Sequence, residues 1–161
     1  EKNIVVYAVV SGVATSSLDP SRRIIARGTD SESESDIQQE YPHIEALMRT
    51  DTTLTVVGHS IDYFCYQYLP PTPPRIHSFL YKCAAEEVRW FTTDLDFLAI
   101  LANSEALSKD EVVAATVRCA ATAYDRPDDF LARASRTLAS LLGRDTFHLA
   151  SILRRLPLRG Q

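Results

Sequence analysis

The first third of the chain alternates short β-branched or aromatic runs with polar punctuation, and a helical period takes over past its middle. Ile4-Val5-Val6-Tyr7-Ala8-Val9-Val10 is apolar at every position, as in a central strand buried on both faces, and Ser11-Gly12 closes it. Arg23-Ile24-Ile25-Ala26-Arg27 is a second, shorter strand stopped by Gly28. Asp30–Asp36 has no apolar side chain to bury and reads as a loop. Ser35 with Gln38 and Asp36 with Gln39 both have capping-box spacing, so a helix is expected to start there. Its apolar positions Ile37, Tyr41, Ile44, Leu47 and Met48 share one helical face. Pro42 suits a helix only near its start.

Thr52–Val57 reads as a third strand, ended by Gly58, and Tyr63–Leu69 as a fourth, rich in aromatics. Pro70-Pro71-Thr72-Pro73-Pro74 donates almost no backbone hydrogen bonds and must be a connection. Ile76–Cys83 resumes as a fifth strand, which flanks the connection and predicts an antiparallel pair. From Thr93 the period is helical. Leu95, Leu98, Ala99, Leu101 and Ala102 form one stripe, and Val113, Val117 and Ala121 mark a helix over 110–124. Pro127 breaks the run. Asp128-Asp129 then opens a helix with Phe130, Leu131, Ala134, Leu138, Leu141 and Leu142 on its apolar face, and Gly143 closes it. One more short helix fits 145–156. Strands and helices alternate too irregularly for a doubly wound fold. The expected class is α+β, a five-stranded antiparallel sheet with helices on both faces and extra C-terminal helices.

Composition narrows the function classes. The 161 residues suffice for one domain with a core, and 45% hydrophobic with 24% charged residues is ordinary for a globular chain. A net charge of −4 argues against a general nucleic-acid binder. Charge is unevenly spread, mainly acidic over 31–51 and mainly basic from Leu131 onward. Cys65, Cys83 and Cys119 form no CxxC or Cys/His pattern and are expected as buried reduced thiols. His43, His59, His77 and His148 lack metal-ligand spacing, so no metal is expected, and no glycine-rich loop calls for a nucleotide cofactor. No apolar run reaches the ~20 residues that span a bilayer, so any anchor is expected outside this chain.

Gly58-His59-Ser60-Ile61-Asp62 approaches the hydrolase elbow G-x-S-x-G. Asp62 stands where the last glycine is needed, and the segment leads into a strand, whereas an elbow follows a strand and opens a helix, so it reads as a plain turn. Ser31 and Ser33 each have an acid three residues on, an acidophilic kinase pattern, and are candidate phosphorylation sites near a helix N-terminus.

The order of elements, with its local texture, resembles the longin domain of synaptobrevin-like R-SNAREs. Ile4–Gly12 (IVVYAVVSG) looks like that family's first strand, and Leu54–Leu69 (LTVVGHSIDYFCYQYL) like its third and fourth. Ile76–Ala84 resembles the fifth strand, and Trp90–Ala102 with its Phe97-Leu98 pair the following helical segment. The acidic loop and the Pro-rich connection are longer than the family's, and no heptad SNARE helix with a central Arg follows. The resemblance implies a profilin-like longin domain over residues 1–124 and a C-terminal helical extension or linker over 125–161. It also implies a groove between the first helix and third strand, lined or supported by Tyr41, Ile44, Leu47, Met48, Leu54 and Val56. The groove would accept an amphipathic helix, the protein's own SNARE helix or a partner's, or a coat or sorting adaptor. The expected role is therefore protein binding in vesicle traffic and membrane fusion at the cytosolic face of endomembranes, in the cytoplasm. The expectation is no enzyme, no cofactor and no nucleic-acid partner. A scaffold subunit of an adaptor, tethering or exchange-factor complex is the second reading, and a serine hydrolase built on Ser60 the last.

Overall fold

The computed structural model describes residues 4–18, 48–75 and 78–157. They form an α+β arrangement with three strands, β1 (Ile4–Ser17), β2 (Met48–Ile61) and β3 (Phe64–Tyr66). Five helices follow: α1 (Ala85–Phe91), α2 (Phe97–Ala102), α3 (Lys109–Ala121), α4 (Pro127–Leu141) and α5 (Thr146–Leu153). The sheet order is β1-β2-β3. A five-stranded sheet is not seen among the described residues. The proposed strand at Arg23–Arg27 and the helix carrying Ile37, Tyr41, Ile44 and Leu47 lie outside them. The chain divides into two compact units, Glu1–Ser11 with Leu54–Gln161, and Gly12–Thr53.

In the smaller unit, a Cβ added at Gly12 would sit 3.5 Å from the Thr53 Cβ, and the Thr15 and Thr50 hydroxyls are 3.2 Å apart. Positions that rise along β1 while falling along β2 mark an antiparallel ladder. Arg49 and Asp51 form an exposed ion pair at 2.7 Å. Met48 is the first residue of β2. Its predicted place on a helical face is thus corrected.

In the larger unit, β2 runs on through Gly58 to Ile61 instead of stopping at the glycine. Gly58 is needed for close approach: a Cβ there would lie 2.5 Å from the Tyr66 carbonyl oxygen and 2.9 Å from the Phe91 ring. The hairpin then turns through Asp62-Tyr63, with Asp62 at φ 56, the left-handed region that Asp tolerates in tight hairpin loops. Beyond it, His59 pairs with Tyr66, Ser60 with Cys65 and Ile61 with Phe64. β3 is shorter than Tyr63–Leu69 because the next side chain leaves the ladder. Gln67 donates through Nε2 to the Phe91 and Asp94 carbonyls at 2.6 and 3.0 Å, and its Oε1 accepts from the Phe97 N–H at 2.9 Å. The fifth strand does not form over its described part: Ser78–Ala84 has no regular structure, and β3 has no partner there. Among the described strands β1 is at the sheet edge, with Val5 and Val10 exposed, so burial on two faces is also corrected.

Helical periodicity and end signals account for the rest. α1 begins where the Glu87 carboxylate accepts the Ala84 N–H at 2.9 Å, with Glu86 and Glu87 in its first turn and Arg89 in its last. α4 has Pro127 at its start and Asp128 and Asp129 in its first turn. α5 is capped by Asp145, whose carboxylate accepts the His148 N–H at 3.2 Å. α3 is the hub and touches α2, α4 and α5. Its buried Val113, Ala114, Val117, Ala120 and Ala121 let neighbouring helices approach closely. Phe97, Leu98, Leu101, Phe130, Leu131, Ala134, Leu138, Ile152 and Leu156 complete this core. The helices after Tyr124 therefore share the core of residues 54–124. Tyr7 joins the core from β1, its ring centroid 4.8 Å from that of Phe91. Among the described residues no helix is long and apolar enough to cross a membrane.

Candidate functional site

Of the six expected groove residues, Tyr41, Ile44 and Leu47 lie outside the described residues, as do Ser31 and Ser33. Leu54 and Val56 are half-buried on β2. By strand alternation they share the face of Gly58 and Ser60, which meets the Phe91 and Tyr7 rings. Met48, also half-buried, lies on β2 within the smaller unit.

The most exposed apolar surface lies elsewhere. Tyr63, Phe64, Tyr68 and Leu69 follow the β2–β3 turn, and Phe79, Leu80 and Tyr81 follow the prolines; all are more than half exposed, Tyr63 reaching 92% and Tyr81 84%. Exposed apolar side chains gathered over so short a stretch mark an interaction surface more often than scattered ones do. Their base is fixed. The buried His59 donates from Nδ1 to the Tyr68 carbonyl at 3.1 Å, stacks on Tyr66 with centroids 5.2 Å apart, and meets Tyr68 edge-on at 5.3 Å. That geometry assigns the proton to Nδ1, since a carbonyl can only accept. The Gln67 bonds hold the same stretch to the start of α2. Sequence reasoning treated these residues as strands. The signal it lacked was Gln67, a long polar side chain among aromatics that finds its partners in the helical core.

Ser60 lies in a strand and not in a turn, another correction. Its hydroxyl hydrogen-bonds to Tyr7, whose phenol burial holds above its ordinary range, the Ser60 bond opposing that effect only in part. His59, the preceding residue, points to the opposite face of β2 and is engaged by Tyr68. The pair does not make the nucleophile–base contact that serine catalysis requires.

Two polar clusters lie among the helices. Arg133 donates to the Thr92 carbonyl at 3.0 Å and to the Tyr124 hydroxyl at 3.4 Å, its guanidinium lying 5.5 Å from the Phe130 ring centroid. Tyr124 stacks on Phe130 at 4.6 Å. A cavity of about 380 Å³ beside them is lined by Arg89, Arg126, Arg133 and Arg136 together with Asp125 and Asp129. Arg126 pairs with Asp129 at 3.0 Å and Arg89 with Glu86 at 3.4 Å, while the buried Arg133 Nε has no hydrogen-bond partner. The second cluster joins α3 to α5: His148 Nδ1 meets the Asp110 carboxylate at 2.8 Å. Desolvation raises the Asp110 carboxyl, but hydrogen bonds from Ser151 and His148 and the nearby positive charge outweigh it, leaving the value below the usual range. Both clusters are structural clamps between elements.

Cys65 is half-buried, with its thiol pushed up by burial and by the Asp94 charge. Cys83 and Cys119 are exposed, contrary to the expected burial. Among the described residues no group of His, Cys, Asp or Glu is disposed to hold a metal ion. In comparison with known proteins, the chain matches no family model, no curated protein and no solved structure.

Proposed function

We propose that this chain is a protein-binding module and not an enzyme, and that the apolar residues between Tyr63 and Tyr81 form part of its binding face. The observation that carries the reading is the exposure of Tyr63, Phe64, Tyr68, Leu69, Phe79, Leu80 and Tyr81 beside a well-filled helical core. A surface of this kind gains most when a partner covers it.

In its finer form the proposal is a longin-type domain with a five-stranded profilin-like sheet, acting in vesicle traffic at the cytosolic face of endomembranes. Its groove would take a SNARE helix or a sorting adaptor over Tyr41, Ile44, Leu47, Met48, Leu54 and Val56. The half-burial of Leu54 and Val56 is compatible with a groove wall. The coil over Ser78–Ala84 departs from the strand this form expects. The apolar face of α4, with Phe130, Leu131, Ala134 and Leu138, is already in the core, so α4 is not the amphipathic helix that this groove would take. A helix entering the β2 groove must then come from elsewhere.

The test is a titration of the isotope-labelled chain with a synaptobrevin-type SNARE-helix peptide, following backbone amides. The longin form expects saturable shifts at Leu54 and Val56. Shifts absent there at saturating peptide would sink that form, and the broader binding reading would then stand on the residues between Tyr63 and Tyr81 alone.

A further inference from the structure

We propose that Leu69–Arg75 (LPPTPPR) is a docking ligand for a domain that reads polyproline II helices through an aromatic-walled groove with an acidic pocket at one end, the recognition mode of SH3 domains. This second binding element is independent of any groove on β2. Pro70, Pro73 and Arg75 have the spacing P-x-x-P-x-R. A polyproline II helix repeats every three residues, so Leu69, Thr72 and Arg75 fall on one edge and Pro70 and Pro73 on the next. The pairs Leu69-Pro70 and Thr72-Pro73 are then ~9 Å apart along the axis, each offering an apolar ridge to a groove, and Arg75 follows at the end. Pro71 and Pro74 occupy the third edge, which faces water in the complex.

The chain is biased toward that conformation. Each proline fixes its own φ, and Leu69, Pro70, Thr72 and Pro73 each precede a proline, which disfavours the α region. Between Leu69 and Pro73 the ψ of Pro71 and the φ of Thr72 are the least restricted, and the backbone bends at Pro71 and Thr72. Straightening the run therefore asks for rotation mainly about the two bonds that flank the Pro71–Thr72 peptide, a small ordering cost for a ligand.

The folded protein also displays the segment. Residues 71–75 and Leu69 are exposed, and Pro70 is half-buried at the base of the run. Just before it, Gln67 and the Tyr68 carbonyl are tied to Phe97 and His59. Just after it, Ser78 donates its N–H and its hydroxyl to the Arg75 carbonyl at 3.1 and 2.7 Å. A short arc held at both ends, with no N–H on four of its residues, has few donors to offer a sheet ladder.

The test presents the full chain to a panel of immobilised SH3 and WW domains and measures binding at equilibrium. The expected result is saturable binding to at least one SH3 domain. Pro70→Ala with Pro73→Ala weakens it by about ten-fold or more, as does Arg75→Glu, each removing an anchor. Pro71→Ala, on the third edge, changes it by less than about two-fold. Thermal unfolding of each variant at the unaltered temperature shows that the fold survives. Failure of the chain to bind any SH3 domain overturns the proposal, including where a peptide of residues 66–79 binds, because the segment is then masked in the folded protein. Binding that survives the double proline change, or binding to WW domains alone, overturns it as well.

Discussion

Two neighbouring stretches of the larger unit use the same residue types in opposite ways. Between Tyr63 and Tyr81, seven large apolar side chains face water; between Ala85 and Leu156 most of them fill a core in which Leu98, Leu101 and Leu138 are wholly buried. The second stretch has helical period and caps, so most of its apolar side chains land on a face that another helix covers, with Leu107, Leu141 and Phe147 among the exposed exceptions. The first is interrupted by four prolines within residues 70–74, which deny it a ladder. Hydrophobicity alone therefore does not mark the core here. What marks it is hydrophobicity at a spacing that the backbone can present to a partner element.

The comparison is most easily broken at the core. Leu98→Ala or Leu138→Ala is expected to cost about 2–5 kcal/mol in chemical denaturation, since each leaves a cavity in a site with no exposure. A loss below about 1 kcal/mol at both would mean that the helices are not closely packed. Gly58→Ala comes next, at about 1–3 kcal/mol, because the added methyl meets the Tyr66 carbonyl oxygen and the Phe91 ring. Gln67→Ala should cost a similar ~1–3 kcal/mol, mainly by leaving the Phe97 N–H and the Phe91 carbonyl without partners. Faster amide exchange at Phe97 in that variant would localise the effect to the start of α2.

A smaller effect is expected where α3 meets α5. The Asp110 carboxyl titrates below its ordinary value in the folded chain, so its contribution is complete above the unfolded value and is lost as pH falls through the folded one. Melts from pH 6 down to pH 2 should show this loss, and Asp110→Asn should flatten that part of the profile at a cost of about 1–2 kcal/mol at neutral pH. An unchanged acid profile in Asp110→Asn would remove this clamp from the account. The smallest effects belong to the displayed segment: Leu69→Ala, Phe79→Ala and Tyr81→Ala should each stay within about 0.5 kcal/mol of the parent.

The same contrast explains what could be read from the chain. α3, α4 and α5 were legible because the apolar period, Pro127, Asp128-Asp129, Gly143 and Asp145 all agree. α1 was missed, although Glu86 and Glu87 are a fair start signal, because Cys83 and its neighbours drew the stretch into a strand. Tyr63–Leu69 and Ile76–Cys83 have strand composition, but a strand exists only against a partner, and sequence gives no account of partners. Gly58 read as a stop, whereas its role is close approach to Tyr66 and Phe91. Of the candidate site, Leu54 and Val56 were placed on a strand and found there, while Met48 moved from a helix face to β2. The exposed run was legible only as a list of aromatics. Gln67 and His59 hold its middle, at Gln67 and Tyr68, to the helical core and to β2.

The central claim is that the exposed apolar residues between Tyr63 and Tyr81 form part of a face that binds another protein. The most direct measurement replaces Leu80 with a photoreactive benzophenone amino acid, and separately Arg136 on the exposed face of α4, then irradiates living cells that make each variant. The account predicts a discrete cross-linked species of defined mass from position 80 and none from position 136. No adduct at position 80, or the same products from both positions, would contradict it.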